Sequence, residues 1–161
     1  IIKNIQQINK QQILPIDMTS KIRTVGCILE FDRKLVLLHR PDHKSQGGKW
    51  GLVAGKAEPG ESEEKTIIRE IKEETGYNAN ESELEFLGSW NWHFDEKIVE
   101  FPVFRIKLKE KIDVKIDPNE HDEFRWVTPT QAYAMPDLVH GVHDLFELLG
   151  WVKDLNRKNS K

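Results

Sequence analysis

The stretch from Gly55 to Tyr77 reads GKAEPGESEEKTIIREIKEETGY, and its spacing decides what the surrounding chain must be. Ser62 is placed as an N-cap, Glu63 and Glu64 fall in a first turn where the helix dipole favours anions, and Gly76 supplies the C-terminal stop. On the predicted helix Glu70, Glu73 and Glu74 stand at i, i+3 and i+4 on one face, with Glu63 two turns back on it. Ile67, Ile68 and Ile71 take the other side and are expected to face the core. Stacked like charges cost roughly 0.2–0.5 kcal/mol per i,i+4 pair in an isolated helix. Arg69 and Lys72 offset part of that cost but are expected to point away from the stripe, so something cationic should sit on it. Three carboxylates suit Mg²⁺ or Mn²⁺, which take hard oxygen ligands and keep positions for water and phosphate oxygens. The plain alternative is a solvated acidic helix face.

The flanks read as strands and helices in alternation. IRTVGCILEF and KLVLLHR form a hairpin across Asp32-Arg33, PDHKSQGG is a polar loop, and WGLVAG is a short strand running into the glycine. ELEFLGSWNWHF and IVEFPVFRIKLK are two strands around Asp95-Glu96-Lys97, with Pro102 marking an edge position or a bulge, and EFRWV is one more strand. Thr128-Pro129-Thr130-Gln131 is a capping-box helix start. A last helix carries Leu138, Val142, Leu145 and Leu149 and ends at Gly150. This pattern predicts an α/β layered fold with a mixed sheet. Residues 1–17, rich in Ile, Gln and Asn, read as an N-terminal arm or appendage, 18–155 as the domain, and 156–161 as a polar tail.

Gly55, five residues, Glu61, seven residues, then Arg69-Glu70-Ile71-Lys72-Glu73-Glu74-Thr75-Gly76-Tyr77 resembles the signature of the Nudix (MutT-like) hydrolases. The resemblance runs from about Met18 to Leu149, with two departures: Val53-Ala54-Gly55 stands where the family often has Pro-Gly-Gly, and Tyr77 fills the closing aliphatic position. It implies an α/β/α sandwich with a mixed β-sheet. It further implies hydrolysis of a nucleoside diphosphate linked to another moiety, by attack of water on phosphorus with Mg²⁺ or Mn²⁺. In that reading Glu73 and Glu74 are the main metal ligands, Glu70 is ligand or general base, Arg69 orients it, and the Ala54 carbonyl is a further ligand. Glu61 fixes the loop–helix junction or joins the catalytic group. Candidate substrates are nucleoside triphosphates, nucleoside-diphosphate sugars, and dinucleoside polyphosphates; among nucleic acids only a capped or triphosphorylated RNA end fits. A non-catalytic nucleotide-binding regulatory module of the same family is the alternative.

Outside this segment, Glu120, His121 and Glu123 in DPNEHDEFRWV are candidates for the base and for substrate contact. The run also looks like one in the family's GDP-mannose hydrolases, where a His is the base. Arg40 and Lys49 flank the polar loop and are candidate phosphate contacts. Trp90, Trp92 and Phe94 share a strand face, and Trp92 is a candidate platform for a base. His140 and His143 stand at i, i+3, with no third ligand nearby to make a zinc site. Cys27 lies among apolar neighbours and reads as packing.

Composition bounds the rest. In 161 residues, 24 Lys+Arg meet 27 Asp+Glu, a net charge of −3, which argues against a protein that coats nucleic acid or an anionic membrane. A single cysteine excludes an intramolecular disulfide and suits a reducing compartment. No apolar run approaches a membrane span and the start does not read as a signal peptide, so a cytoplasmic location is expected. A homodimer using the N-terminal arm is compatible with the sequence.

Overall fold

The computed structural model describes residues 21–94 and 96–152, so the expected arm at 1–17, the start at Met18 and the tail at 156–161 lie outside it. In chain order the elements are β1 (Ile22–Phe31), β2 (Lys34–His39), β3 (Trp50–Gly51), β4 (Val53–Lys56), α1 (Glu63–Thr75), β5 (Glu85–Phe94), β6 (Lys97–Lys107), β7 (Glu123–Val127), α2 (Pro129–Tyr133) and α3 (Val142–Leu148).

Alternation along the strands builds two cores from one sheet. Val25, Cys27 and Leu29 of β1, Val36 and Leu38 of β2, and Phe104 and Ile106 of β6 pack with Ile67 and Ile71 of α1. Ile28, Leu35, Leu37, Phe101 and Val103 point the other way, against Ala132 of α2 and Leu145 and Phe146 of α3. The result is the expected α/β/α sandwich. The sheet is mixed: β1 runs parallel to β6 and antiparallel to β2 and β4, and β5 is antiparallel to β6. Cys27 is fully buried, and burial pushes its thiol up, in keeping with packing.

One edge of β1 is shared, and this opens the site. Only Glu30 and Phe31 pair with β2, while Thr24 to Cys27 pair with β4. Beyond the hairpin β2 leaves β1 and pairs with β7 and β3. The two strands splay around the β3–β4 segment, and the cleft between them receives the end of α1.

Three expectations need correcting. Pro102 is on neither an edge nor a bulge: β6 lies between β1 and β5, Pro102 pairs with Ser89, and the register shift falls at Phe86/Gly88 on β5. The missing proline N–H is tolerated because the β1–β6 ladder lapses between Arg23↔Glu100 and Gly26↔Val103. Leu138 is not helical; it bridges to Trp50, and the helix starts after Gly141, whose φ of 87° breaks the periodicity. His140 therefore precedes α3 rather than sharing a face with His143, whose Nε2 faces the Tyr133 and Met135 carbonyls at 3.1 and 2.9 Å.

Candidate active site

The helix forms as its caps dictate. Ser62 accepts from the Lys65 N–H, and Gly76, with φ 77°, donates back to the Lys72 carbonyl. Its faces are not divided as the spacing suggested. Glu74 continues the buried stripe of Ile67 and Ile71 and is 9% exposed, whereas the Glu73 side chain is 57% exposed. Arg69 does not point away either: it bonds Glu61 through Nε and Nη2 (2.9 and 3.0 Å), Glu70 through Nη1 (2.5 Å) and Glu73 at 3.3 Å. A long guanidinium reaches back over a turn to satisfy three carboxylates that backbone spacing alone would leave repelling one another.

Glu61 is the anchor of this network. It accepts from Arg69, from the Glu58 N–H (3.0 Å) and from the Thr66 hydroxyl (2.9 Å), and these bonds hold its carboxyl down at about 2. Glu61 thus joins the β4–α1 loop to the helix and does not line the cavity. Arg69 is held charged chiefly by its bond to Glu61.

Glu70 and Glu74 face a cavity of about 490 Å³. Burial pushes both carboxyls above the ordinary range, Glu74 well above it; the Ala54 N–H and the Arg69 guanidinium work the other way. Ala54 donates its N–H to Glu74 Oε2 (3.0 Å) rather than across a ladder. N–H and C=O of one strand residue leave on the same edge, so the Ala54 carbonyl is also turned from β1. Gly55 explains itself by close approach: a Cβ there would lie 1.9 Å from the Glu70 carboxyl carbon.

The segment before β7 closes this end. His121 is 3% exposed, its Nε2 is 3.9 Å from Glu74 Oε1, and its buried Nδ1 has no hydrogen-bond partner among the described residues. Burial, then the nearby Arg40 charge, lower the imidazole to about 4, so it is neutral at pH 7. Glu120 lines the cavity and is gripped by Lys44 Nζ through both oxygens (3.0 and 2.9 Å). Arg40 lines it too, its Nε donating to the Ser45 carbonyl (2.7 Å).

Of the residues expected at the site, Glu70, Glu74, Ala54, Glu120, His121, Arg40 and Trp92 line one cavity. Glu73 does not line it, and Arg69 and Glu61 reach it only through the bond from Arg69 to Glu70. Lys49 and Glu123 are not brought to it: Lys49 gives its carbonyl to the Arg40 N–H, and Glu123 pairs with Arg125 on an exposed face (3.0 Å). Sequence reasoning missed Gln46 and Lys44, inside a loop read only as polar, and Val139 and Phe101, which line the same cavity as Trp92. The Lys44 pairing bridges 76 positions, which no spacing rule reveals.

The NUDIX domain family model matches residues 20–149. The CTP pyrophosphohydrolase of Escherichia coli (strain K12) is 29% identical over 115 residues, covering 71% of this chain and 82% of that protein. Among solved structures, the MutT protein from Methanosarcina mazei Go1 superposes with TM-score 0.72 at 30% identity, covering 88% of this chain and 96% of that one. The E. coli ORF135 protein follows at TM-score 0.70 and 25% identity, covering 91% and 99%. A match spanning nearly every described element, together with the carboxylate pair on α1, settles the family: this chain belongs to the NUDIX domain family and is a Nudix hydrolase.

Proposed function

We propose that the protein is a metal-dependent pyrophosphohydrolase that cleaves a nucleoside diphosphate linked to another moiety, with nucleoside triphosphates as the first substrates to test. The observation that carries this reading is one cavity lined by two kinds of group: the carboxylates of Glu70 and Glu74 beside the Ala54–Gly55 strand, and the apolar surfaces of Trp92, Phe101 and Val139. The first suits a cation and phosphates, the second a flat base. The similarity to a protein named CTP pyrophosphohydrolase supports triphosphates over sugar nucleotides.

The donor set fits Mg²⁺ or Mn²⁺. Glu70, Glu74, the exposed carboxylate of Glu73 and the Ala54 carbonyl are all hard oxygens, and these residues would hold the ion. Among the described residues no three His, Cys, Asp or Glu groups form a ready-made metal cluster. That suits Mg²⁺, which keeps waters and substrate oxygens in its shell instead of a full protein cage. When bound, such an ion neutralises the diphosphate and polarises its phosphoryl oxygens.

The chain's own groups supply the rest. Arg40, which lines the cavity and is close enough to lower both Glu74 and His121, is the cation for the phosphates. His121, neutral with Nδ1 unpaired among the described residues, is able to take a proton from an attacking water, and Glu120 and Glu70 are the other acceptors facing the cavity. Arg69 and Glu61 hold Glu70 in place. The test is product analysis for a panel of nucleoside triphosphates, GDP-mannose, ADP-ribose and diadenosine polyphosphates, with Mg²⁺, Mn²⁺ or EDTA. Metal-dependent release of a nucleoside monophosphate is expected; nucleotide binding without cleavage of any member would replace the hydrolase with a regulatory binding module.

A further inference from the structure

Gln46 sits in the loop between β2 and β3 with a left-handed backbone, φ 53°. Its side-chain Oε1 accepts from the backbone N–H of His140 at 2.7 Å, across 94 positions. A backbone N–H only donates, so this bond fixes which end of the amide is oxygen. The other end, Nε2 with two N–H donors, has no acceptor among the described residues, and Gln46 lines the cavity.

The neighbours of this donor pair define what it would meet. Trp92 lies against Phe101, ring centroids 4.9 Å apart, and against Gly141, where a Cβ would come within 2.9 Å of the indole. Gly141 follows His140, so the aromatic surface and the Gln46 amide are joined through one peptide. Two residues before Gln46, Lys44 reaches Glu120. The loop is thus fastened to the Glu120 segment through Lys44 and to the His140 peptide through Gln46, and Gln46 shares the cavity lining with Trp92 and Phe101.

Resting on the function proposed above, we propose that Gln46 is a specificity-determining residue whose Nε2 donates to a carbonyl on the substrate's base. Cytosine, uracil and guanine carry such a carbonyl and adenine does not, so the site discriminates against adenine nucleotides. A site built to donate leaves its donors unpaired on a ligand lacking the acceptor, which makes rejection strong. Trp92 alone would stack any base.

The test measures calorimetric binding of the α,β-methylene analogues of CTP, UTP, GTP and ATP to the wild type, Gln46→Glu and Gln46→Ala. Gln46→Glu is the informative variant, because its carboxylate still accepts from His140 and keeps the loop fastened while its second oxygen no longer donates. The wild type is expected to bind at least one carbonyl-bearing analogue about tenfold more tightly than the ATP analogue. Gln46→Glu is expected to shift the ranking toward ATP and most of all away from UTP, since its carboxylate accepts from an amino group that uracil lacks, and Gln46→Ala to flatten it. A uniform loss from the added charge does not alter the ranking, so the ranking is the readout. An unchanged order in Gln46→Glu, or a wild type indifferent to adenine, overturns the role of Gln46 alone. A wild type that neither binds the analogues nor cleaves any triphosphate overturns the functional reading as well.

Discussion

The acidic and the aromatic parts of the cavity lining are built in opposite ways. In the acidic part, Ala54, Gly55, Glu70 and Glu74 come from one strand–loop–helix run, and Arg69 and Glu61 brace it from the same run. In the aromatic part, Gln46, Trp92, Phe101 and His140 come from separate segments joined by long-range contacts. The acidic part is braced by charge-assisted bonds from Arg69 to Glu61 and Glu70, whereas the aromatic part is fastened by the neutral bond from the His140 N–H to Gln46. Chemistry needs carboxylates held in fixed relation, which one rigid helix supplies; recognition needs only that a surface be presented, and loops vary it cheaply.

If the acidic part is a single unit, small changes there should have large effects. Glu74→Gln is expected to lower kcat/KM by about a hundredfold or more in Mg²⁺. It should leave the melting temperature unchanged or raised, since the amide oxygen still accepts from Ala54 and a buried charge is gone. Full activity in that variant would sever α1 from the chemistry. Gly55→Ala places a methyl on the Glu70 carboxyl and should cost activity about a hundredfold with native circular dichroism, since displacing a reacting group by about 1 Å has that cost.

The loop that links the Glu120 segment to Gln46 should respond more gently. Lys44→Ala breaks the pair to Glu120; denaturant unfolding is expected to show a loss of at most about 1 kcal/mol, because such exposed pairs contribute little. Its KM should rise severalfold as the loop loosens. A loss comparable to Glu74→Gln would mean the two parts are one unit after all.

The smallest effect concerns the bond that ties the end of β2 to the segment before β7. His39 Nδ1 bonds Asp122 Oδ1 at 2.5 Å, directly after the Glu120–His121 segment, and that bond raises the imidazole above 6.5. A raised histidine favours the folded state fully below 6.5 and loses that contribution as pH climbs through its higher folded value. Melting temperatures in Asp122→Asn should therefore fall relative to wild type mainly at acidic pH and converge with it above neutrality. Parallel curves across the range would remove His39 from the account.

The same contrast explains what the sequence revealed. Helix α1, its Ser62 and Gly76 caps, the Asp32-Arg33 turn and the Thr128–Gln131 capping box all follow from neighbours a few positions apart, and all formed as read. Glu70 and Glu74 were legible for that reason. Pattern failed where one residue's conformation or one long side chain decided: Gly141 ended the apparent helix at Leu138, and the reach of Arg69 reversed its expected direction. Gln46 carries no local signal, because its role is created by a peptide 94 positions away.

The central claim is that the acidic part directs water onto phosphorus while the aromatic part only selects. The measurement that tests it most directly is turnover of the best nucleoside triphosphate in oxygen-labelled water with Mg²⁺, the products analysed by mass spectrometry. One labelled oxygen on a phosphorus of the monophosphate or diphosphate product, absent with EDTA, is predicted. Products without label on phosphorus, or formed equally in EDTA, would contradict it.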